Sequence, residues 1–199
     1  MINISKVNIP FEQVLARLGY LKAKTKLDSK TELLIKENIS LAQKLIAPKA
    51  VVAFSDIAVN GDSVSFNGGF KIESKNIAKL FEECFKAYGV AVTIGKALEE
   101  KRNELIEKKE TFAALVLDAA GSVAAEEAVT LANKQIEDSE EKNGNILTRR
   151  YSPGYGDWGL SAQKYFLAWL NAERVGITLN SSSLMKPEKS VSAIIGVKK

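Results

Sequence analysis

The segment Thr111–Ile136 limits the possible folds more than any other part of the chain. It holds eight alanines and Gly121 and is apolar nearly all the way round. A helix of that kind is buried, and its small residues let neighbouring backbones come close. Yet the segment also carries Asp118, Glu126 and Glu127. At about 100° per residue, Glu126 shares a face with Leu115, Ala119, Ser122 and Val129. A buried carboxylate needs a partner or an opening to solvent. The helix by itself points first to a structural ion pair or an exposed strip. A carboxylate facing a ligand cleft is the second possibility.

The flanking sequence alternates between two periodicities. Ile2–Ile9 reads as an edge strand, and Pro10 opens a short helix, Phe11–Leu18, closed by Gly19. Ser29 and Glu32 form a capping box before a helix Lys30–Ile46, which Pro48 stops. Val51–Val59 is rich in β-branched residues, and Asn60-Gly61 offers the positive-φ pair of a hairpin turn. Ser63–Asn67 returns with Val64 and Phe66 on one face, and Phe70–Ile72 is a further strand. Ser74 caps a helix Lys75–Ala87 that Gly89 ends, and Val90–Ile94 is a buried strand. Lys96–Glu110 is a charged amphipathic helix. After the alanine-rich segment, Asp138–Gly144 reads as an acidic linker. Ile146–Arg150 is a strand and Ser161–Val175 a helix stopped by Gly176. Ile177–Leu179 and Ser190–Val197 are strands.

Strands and helices mix without strict βαβ alternation. That predicts an α+β fold with an antiparallel or mixed β-sheet packed with helices. Residues 1–48 form an N-terminal strand and helical region, and 49–199 the core, together one compact unit.

Composition excludes several chemistries. The chain of 199 residues has no histidine and one cysteine. Ser-His-Asp and Cys-His catalysis, histidine metal ligation and a neutral-pH imidazole shuttle are therefore ruled out. A zinc or iron–sulfur site is not expected. Cys84 sits in the amphipathic run Ile77–Tyr88, where a buried packing role is expected. No window reaches the roughly 18 apolar residues of a membrane span. The N-terminus lacks the regions of a signal peptide, so a cytoplasmic protein is expected. The net charge of +4 is spread over scattered lysines, among them Lys22, Lys24, Lys26, Lys198 and Lys199. It reads as a solvated surface with a weak preference for an acidic partner. Dispersed charge without interleaved aromatics argues against a nucleic-acid binder.

Arg150-Tyr-Ser-Pro-Gly-Tyr155-Gly-Asp157-Trp158 is the most informative stretch. Pro153 and Gly154 enforce a sharp turn, which can bring Arg150 and Tyr155 to one mouth. A guanidinium grips a carboxylate through two parallel hydrogen bonds. A tyrosine ring adds a π-face for a cation. Small residues beside them leave backbone amides open. The set suits a zwitterionic amino acid bearing a positive centre. A structured loop in which Arg150 pairs with a nearby acid such as Asp157 is the alternative.

This run resembles the R-x-x-P-G-Y motif of the activation domain of cobalamin-dependent methionine synthase. Its continuation Gly156-Asp157-Trp158, with Gln163 in the next helix, is similar to the R-x-S-P-G-Y-G-D-W form of small stand-alone members. Asp118-Ala-Ala-Gly121-Ser122-Val-Ala-Ala-Glu126 is similar to the family's D-A-x-G-S-x-x-x-E helix. The tail from Gly176 through Asn180, Met185 and Pro187 to Ser190-Val191-Ser192 resembles its G-[IM]-x-L-T-E-S…M-x-P…S-V-S ending. Val92–Gly95 matches more faintly. The motifs occur in the family's order, from about Val51 onward. Two departures stand out. Lys6–Phe11 offers no acid where larger members have one, and Asn180-Ser181-Ser182 replaces T-E-S.

The resemblance implies a function. S-adenosylmethionine would bind beside the corrinoid of a cobalamin-binding methionine synthase lacking its own activation domain. With an electron from a flavodoxin-like or other reductase, cob(II)alamin would be reductively methylated in trans. Arg150 would hold the methionyl carboxylate, with Tyr155 lining the pocket, Ser152 and Gly154 shaping it and Glu126 meeting the amino or ribose groups. Reactivation of another corrinoid protein, or a non-catalytic docking module for a cobalamin-binding protein, are the alternatives. No membrane partner is implied.

Overall fold

The computed structural model describes Ile4, residues 6–20 and residues 26–199. Ile4 and residues 6–9 belong to no strand, and the remainder of the expected strand Ile2–Ile9 lies outside the described residues, as do Lys22 and Lys24. Helix α1 is Phe11–Arg17 and α2 is Ser29–Leu45. The cap of α2 is one residue earlier than the capping box suggests. Asp28 Oδ1 accepts from the amides of Lys30 and Thr31, and the Thr31 hydroxyl donates to Oδ2.

Strand β1, Lys49–Asn60, pairs with β2, Ser63–Phe66. Asn60 is opposite Ser63, so the turn residues are Gly61 and Asp62 rather than Asn60 and Gly61. Only Gly61 takes positive φ there, at 57°. Val64 and Phe66 are both buried, on the face that their alternation predicts. β3 is Lys71–Glu73.

Helix α3 stops at Leu80 instead of running to Ala87, because β4 begins at Lys86 (α3 is Lys75–Leu80, β4 Lys86–Thr93). Gly89 is therefore inside a strand, not a helix stop. A Cβ there would lie 2.4 Å from Trp169 and 2.9 Å from Phe166 and Leu170. This glycine lets the last α-helix of the chain, which carries Phe166, Trp169 and Leu170, lie directly on the sheet.

The chain continues through α4, Ala97–Glu107, and α5, Thr111–Glu141. Of the expected acidic linker Asp138–Gly144, the residues up to Glu141 instead extend α5, and only the rest forms the turn after it. β5 is Ile146–Leu147 alone, with Tyr151 adding an isolated bridge to Ile194. The expected helix Ser161–Val175 is three pieces: a 3-10 turn Leu160–Ala162, α6 Gln163–Leu170, and a 3-10 turn Ala172–Val175. The break is Asn171, which takes the left-handed conformation that asparagine tolerates. β6 is Thr178–Leu179, β7 Met185–Lys186 and β8 Ser190–Lys198.

The main sheet has strand order β3-β2-β1-β4-β8-β5, and β6-β7 form a separate hairpin. Every named pairing is antiparallel. Period-2 alternation sends side chains to two cores. Ala50, Val90, Val92, Ala193 and Ile195 meet α1, α2, α4 and α5 on one face. Val51, Ala87, Ala91 and Ile194 meet α3 and α6 on the other. Because the central strands are covered on both sides, they read as continuous apolar runs. No helix among the described residues is long and apolar enough to cross a membrane.

Cys84 packs in the second core, and burial pushes its thiol up to about 11. The packing role expected for it holds. α5 is buried along most of its length, and at Gly121 a neighbouring helix comes close. A Cβ there would lie 2.7 Å from Leu98 of α4 and 3.3 Å from the Lys189 stem.

Candidate functional site

The bend at residues 151–159 is held by its own side chains. Trp158 is buried edge-on to Phe166, with ring centroids 5.3 Å apart. Asp157 does not pair with Arg150. Its Oδ1 accepts from the Ser74 hydroxyl at 2.5 Å and its Oδ2 from the Asn76 amide at 3.3 Å. The Ser74 hydrogen bond holds the Asp157 carboxyl below its usual value. Ser74 Oγ also accepts from the Ile77 amide and so caps α3. The bend is thus fastened to the start of that helix. Tyr151 completes the fastening, accepting from Asn76 Nδ2 and donating to the Tyr155 carbonyl, each at 3.2 Å.

Gly156 has φ of 53°, and a Cβ on it would fall 2.1 Å from the Tyr151 hydroxyl. Gly156→Ala is expected to destabilise the fold by roughly 1–3 kcal/mol through this overlap and the left-handed backbone, measured by urea unfolding.

The second motif is divided between structure and cleft. Asp118 accepts ion pairs from Arg102 at 2.8 Å and Lys189 at 2.9 Å. Burial pushes its carboxyl up, but the hydrogen bonds from Lys189 and Arg102 prevail and hold it low. Lys189 Nζ also donates to Ser122 Oγ at 2.8 Å. Asp118 and Ser122 therefore tie α4 and the start of β8 to α5. Glu126, one turn further along α5, stays out of this network. Of the readings the helix pattern offered, the exposed strip is the one seen: its side chain is 53 % exposed, on a face that also exposes Leu115. Its carboxylate lies 3.7 Å from the Arg150 guanidinium.

Two contiguous lobes open beside this pair. The larger, of about 410 Å³, is lined by Glu126, Ser152, Pro153, Tyr155, Leu160, Gln163, Leu184, Met185, Glu188 and Ser190–Ser192. The smaller, of about 310 Å³, is lined by Glu126, Arg149, Arg150, Tyr151, Ser152, Tyr155, Val191 and Ala193. They share Glu126, Ser152, Tyr155 and Val191, so they form one cleft, with Leu160, Leu184 and Met185 making the larger lobe the more apolar and Arg149 and Arg150 making the smaller one cationic. Its larger lobe alone falls within the usual range of small-molecule sites.

Of the residues singled out from sequence, Glu126, Arg150, Ser152 and Tyr155 meet at this cleft. Gly154 does not line it. Its backbone is left-handed, at φ 92°, and its amide is spent on the Trp158 carbonyl at 2.7 Å. The expectation of open amides there is corrected: Gly154 makes the turn rather than the surface.

Sequence reasoning gave no role to Leu184, Glu188 or Arg149. The hairpin β6–β7 delivers Leu184 and Met185, and the Asn180 side chain closes its turn by accepting from the amides of Ser182 and Leu184. Gln163 and Ser192 appeared only as motif letters. They are buried polar groups joined to each other at the cleft floor.

No protein-family model matches the chain, and no curated protein matches it. Among solved structures, it is similar to the MetH reactivation domain bound to AdoHcy. The TM-score is 0.70 at 12 % identity, over 94 % of this chain and 74 % of that one. The chain therefore has the reactivation-domain fold, as the motifs led us to expect.

Proposed function

We propose that this protein binds S-adenosylmethionine or S-adenosylhomocysteine and serves as a reactivation module for a cobalamin-binding methionine synthase, in trans. The observation that carries the reading is the convergence of Arg150 and Glu126 where a cationic lobe meets a more apolar one. The likeness in fold to a domain that holds AdoHcy supports it.

A zwitterionic head needs a guanidinium for its carboxylate and an acid for its ammonium, side by side. Arg150 and Glu126 supply that pair, and at 3.7 Å their mutual contact is loose enough to be exchanged for a ligand. Tyr155, 69 % exposed, borders both lobes and offers a ring face toward a sulfonium. Leu160, Leu184, Met185 and Val191 make the other lobe a place for a flat base. Of the two ligands only S-adenosylmethionine would supply a sulfonium methyl group, leaving S-adenosylhomocysteine, and the chain would supply orientation. A corrinoid partner and a flavodoxin-like or other reductase would supply the remaining chemistry.

The direct test is calorimetry with S-adenosylmethionine and S-adenosylhomocysteine, followed by loss of the cob(II)alamin absorbance in a mixture with the partner and a reductant. Absence of heat with both ligands would reject the binding role and leave a docking module. Glu126→Gln should weaken binding by roughly 5- to 20-fold, less than a buried charged hydrogen bond because Glu126 is more than half exposed, while the melting temperature stays unchanged. A lowered melting temperature with intact binding would make Glu126 a structural residue instead.

A further inference from the structure

We infer that Gln163 reads the base of the bound nucleoside, its side-chain amide pairing with the N6/N7 edge of a 6-aminopurine; this rests on the S-adenosyl reading above. Gln163 opens α6 at the floor of the apolar lobe and is 4 % exposed. Its Nε2 donates to the Ser183 carbonyl at 3.1 Å, and its Oε1 accepts from the Ser192 hydroxyl at 3.4 Å. One partner is in the β6–β7 hairpin and the other on β8, so the amide is pinned from two walls of the cleft. The Ser183 carbonyl can only accept, which decides which end of the amide is nitrogen.

A carboxamide has two N–H donors and two acceptor lone pairs. Two bonds use one of each, leaving one donor and one acceptor. Half the capacity of a buried amide is then unspent, in a group that borders an apolar lobe. Adenine offers the matching complement, an N6 donor beside an N7 acceptor, which is the edge that asparagine and glutamine recognise. A 6-oxo purine places an acceptor where the donor was, and a 7-deaza purine lacks the acceptor. Leu160, Leu184, Met185 and Val191 surround the same lobe with apolar atoms. They favour a flat ring but do not distinguish one purine from another. Of the polar groups on this lobe, the carboxylates Glu126 and Glu188 can only accept, and the Ser190 and Ser192 hydroxyls donate to the Pro187 carbonyl and to Gln163 itself. Gln163 is the buried group with both a donor and an acceptor to spare, and so the discriminating one.

The experiment is calorimetry on the full chain with S-adenosylhomocysteine and its inosyl and 7-deaza-adenosyl counterparts. The wild type should bind the adenosyl compound roughly 10- to 100-fold more tightly than either analogue, the scale of one bidentate base contact. Gln163→Met should lose that preference, with circular dichroism checking its fold. Equal wild-type affinity for all three would overturn the assignment while leaving the S-adenosyl reading intact, and this arm needs no variant. A folded variant that binds more weakly but keeps the preference would also overturn it, since a purely structural glutamine behaves that way. If the wild type binds none of the three, the inference falls together with the reading beneath it.

Discussion

Replacing Glu140 by leucine should destabilise the protein by about 3–5 kcal/mol, the range for breaking a buried ion pair from one side. Glu140 is on the last turn of α5, with its side chain 2 % exposed. Its Oε1 accepts from Lys86 Nζ and from the Tyr88 hydroxyl, each at 2.5 Å, and its Oε2 from Asn145 Nδ2 at 2.6 Å. Lys86 and Tyr88 belong to β4, and Asn145 leads into β5. One carboxylate therefore joins the end of the long helix to two strands. The single variant leaves the Lys86 ammonium, 17 % exposed, without its counter-charge. Pairing it with Lys86→Met removes that stranded charge, so the double variant should lose less than the two single losses added together. Urea unfolding of the four proteins decides this, and strict additivity would refute the coupling.

The same cluster fixes a pH dependence. Burial pushes the Glu140 carboxyl up, but the hydrogen bonds from Lys86, Tyr88 and Asn145 outweigh it. Its pKa in the folded protein ends below the usual 4.5. A depressed folded value means stability that is present above 4.5 and lost as the pH falls through the folded value. The wild type should therefore lead Glu140→Gln at neutral pH, and the gap should close in acid below the ordinary carboxylate range.

Arg150→Ala should weaken S-adenosylhomocysteine binding by ~1.5–3 kcal/mol, the scale of a charge-assisted hydrogen bond, which calorimetry reads as roughly a 10- to 150-fold loss. Stability should change little. The Arg150 contact with Glu126 is long, and Glu126 is more than half exposed, which places it among ion pairs that contribute little. Arg150→Lys should recover only part of the affinity, because an ammonium lacks the planar fork that grips a carboxylate twice. Unchanged affinity in Arg150→Ala would move the ligand away from the bend altogether.

The parts of the fold legible in sequence were those set by local chemistry. Alternation in Ser63–Phe66, the cap at Ser74 and the alanine-rich, largely apolar stretch of α5 each depend on residues within a few positions. The errors arose where distant packing overrides local pattern. The run from Lys75 to Ala87 looks helical throughout, yet the chain leaves the helix at Leu80 so that Lys86–Thr93 can pair with β1 and β8. Gly89 looks like a helix terminator and is instead the place where α6 lies on a strand. In the candidate site, the motif letters mixed two jobs that spacing cannot separate. Asp118, Ser122, Gly156 and Asp157 hold the scaffold together, while Glu126, Arg150, Ser152 and Tyr155 border the cleft.

The amino-acid sequence by itself determined the chemistry on offer: no imidazole, one inert thiol, and an arginine, a tyrosine and a helix glutamate as candidate ligand groups. It also determined the α+β class, because periodicity and turn residues act over short distances. Only the tertiary structure decided which of those groups share a cleft, that Glu126 is open rather than buried, and that Leu184, Glu188 and Gln163 complete the walls. Those facts depend on β8, α5, α6 and a detached hairpin meeting in space, and residues far apart in the chain carry no local pattern that records their meeting.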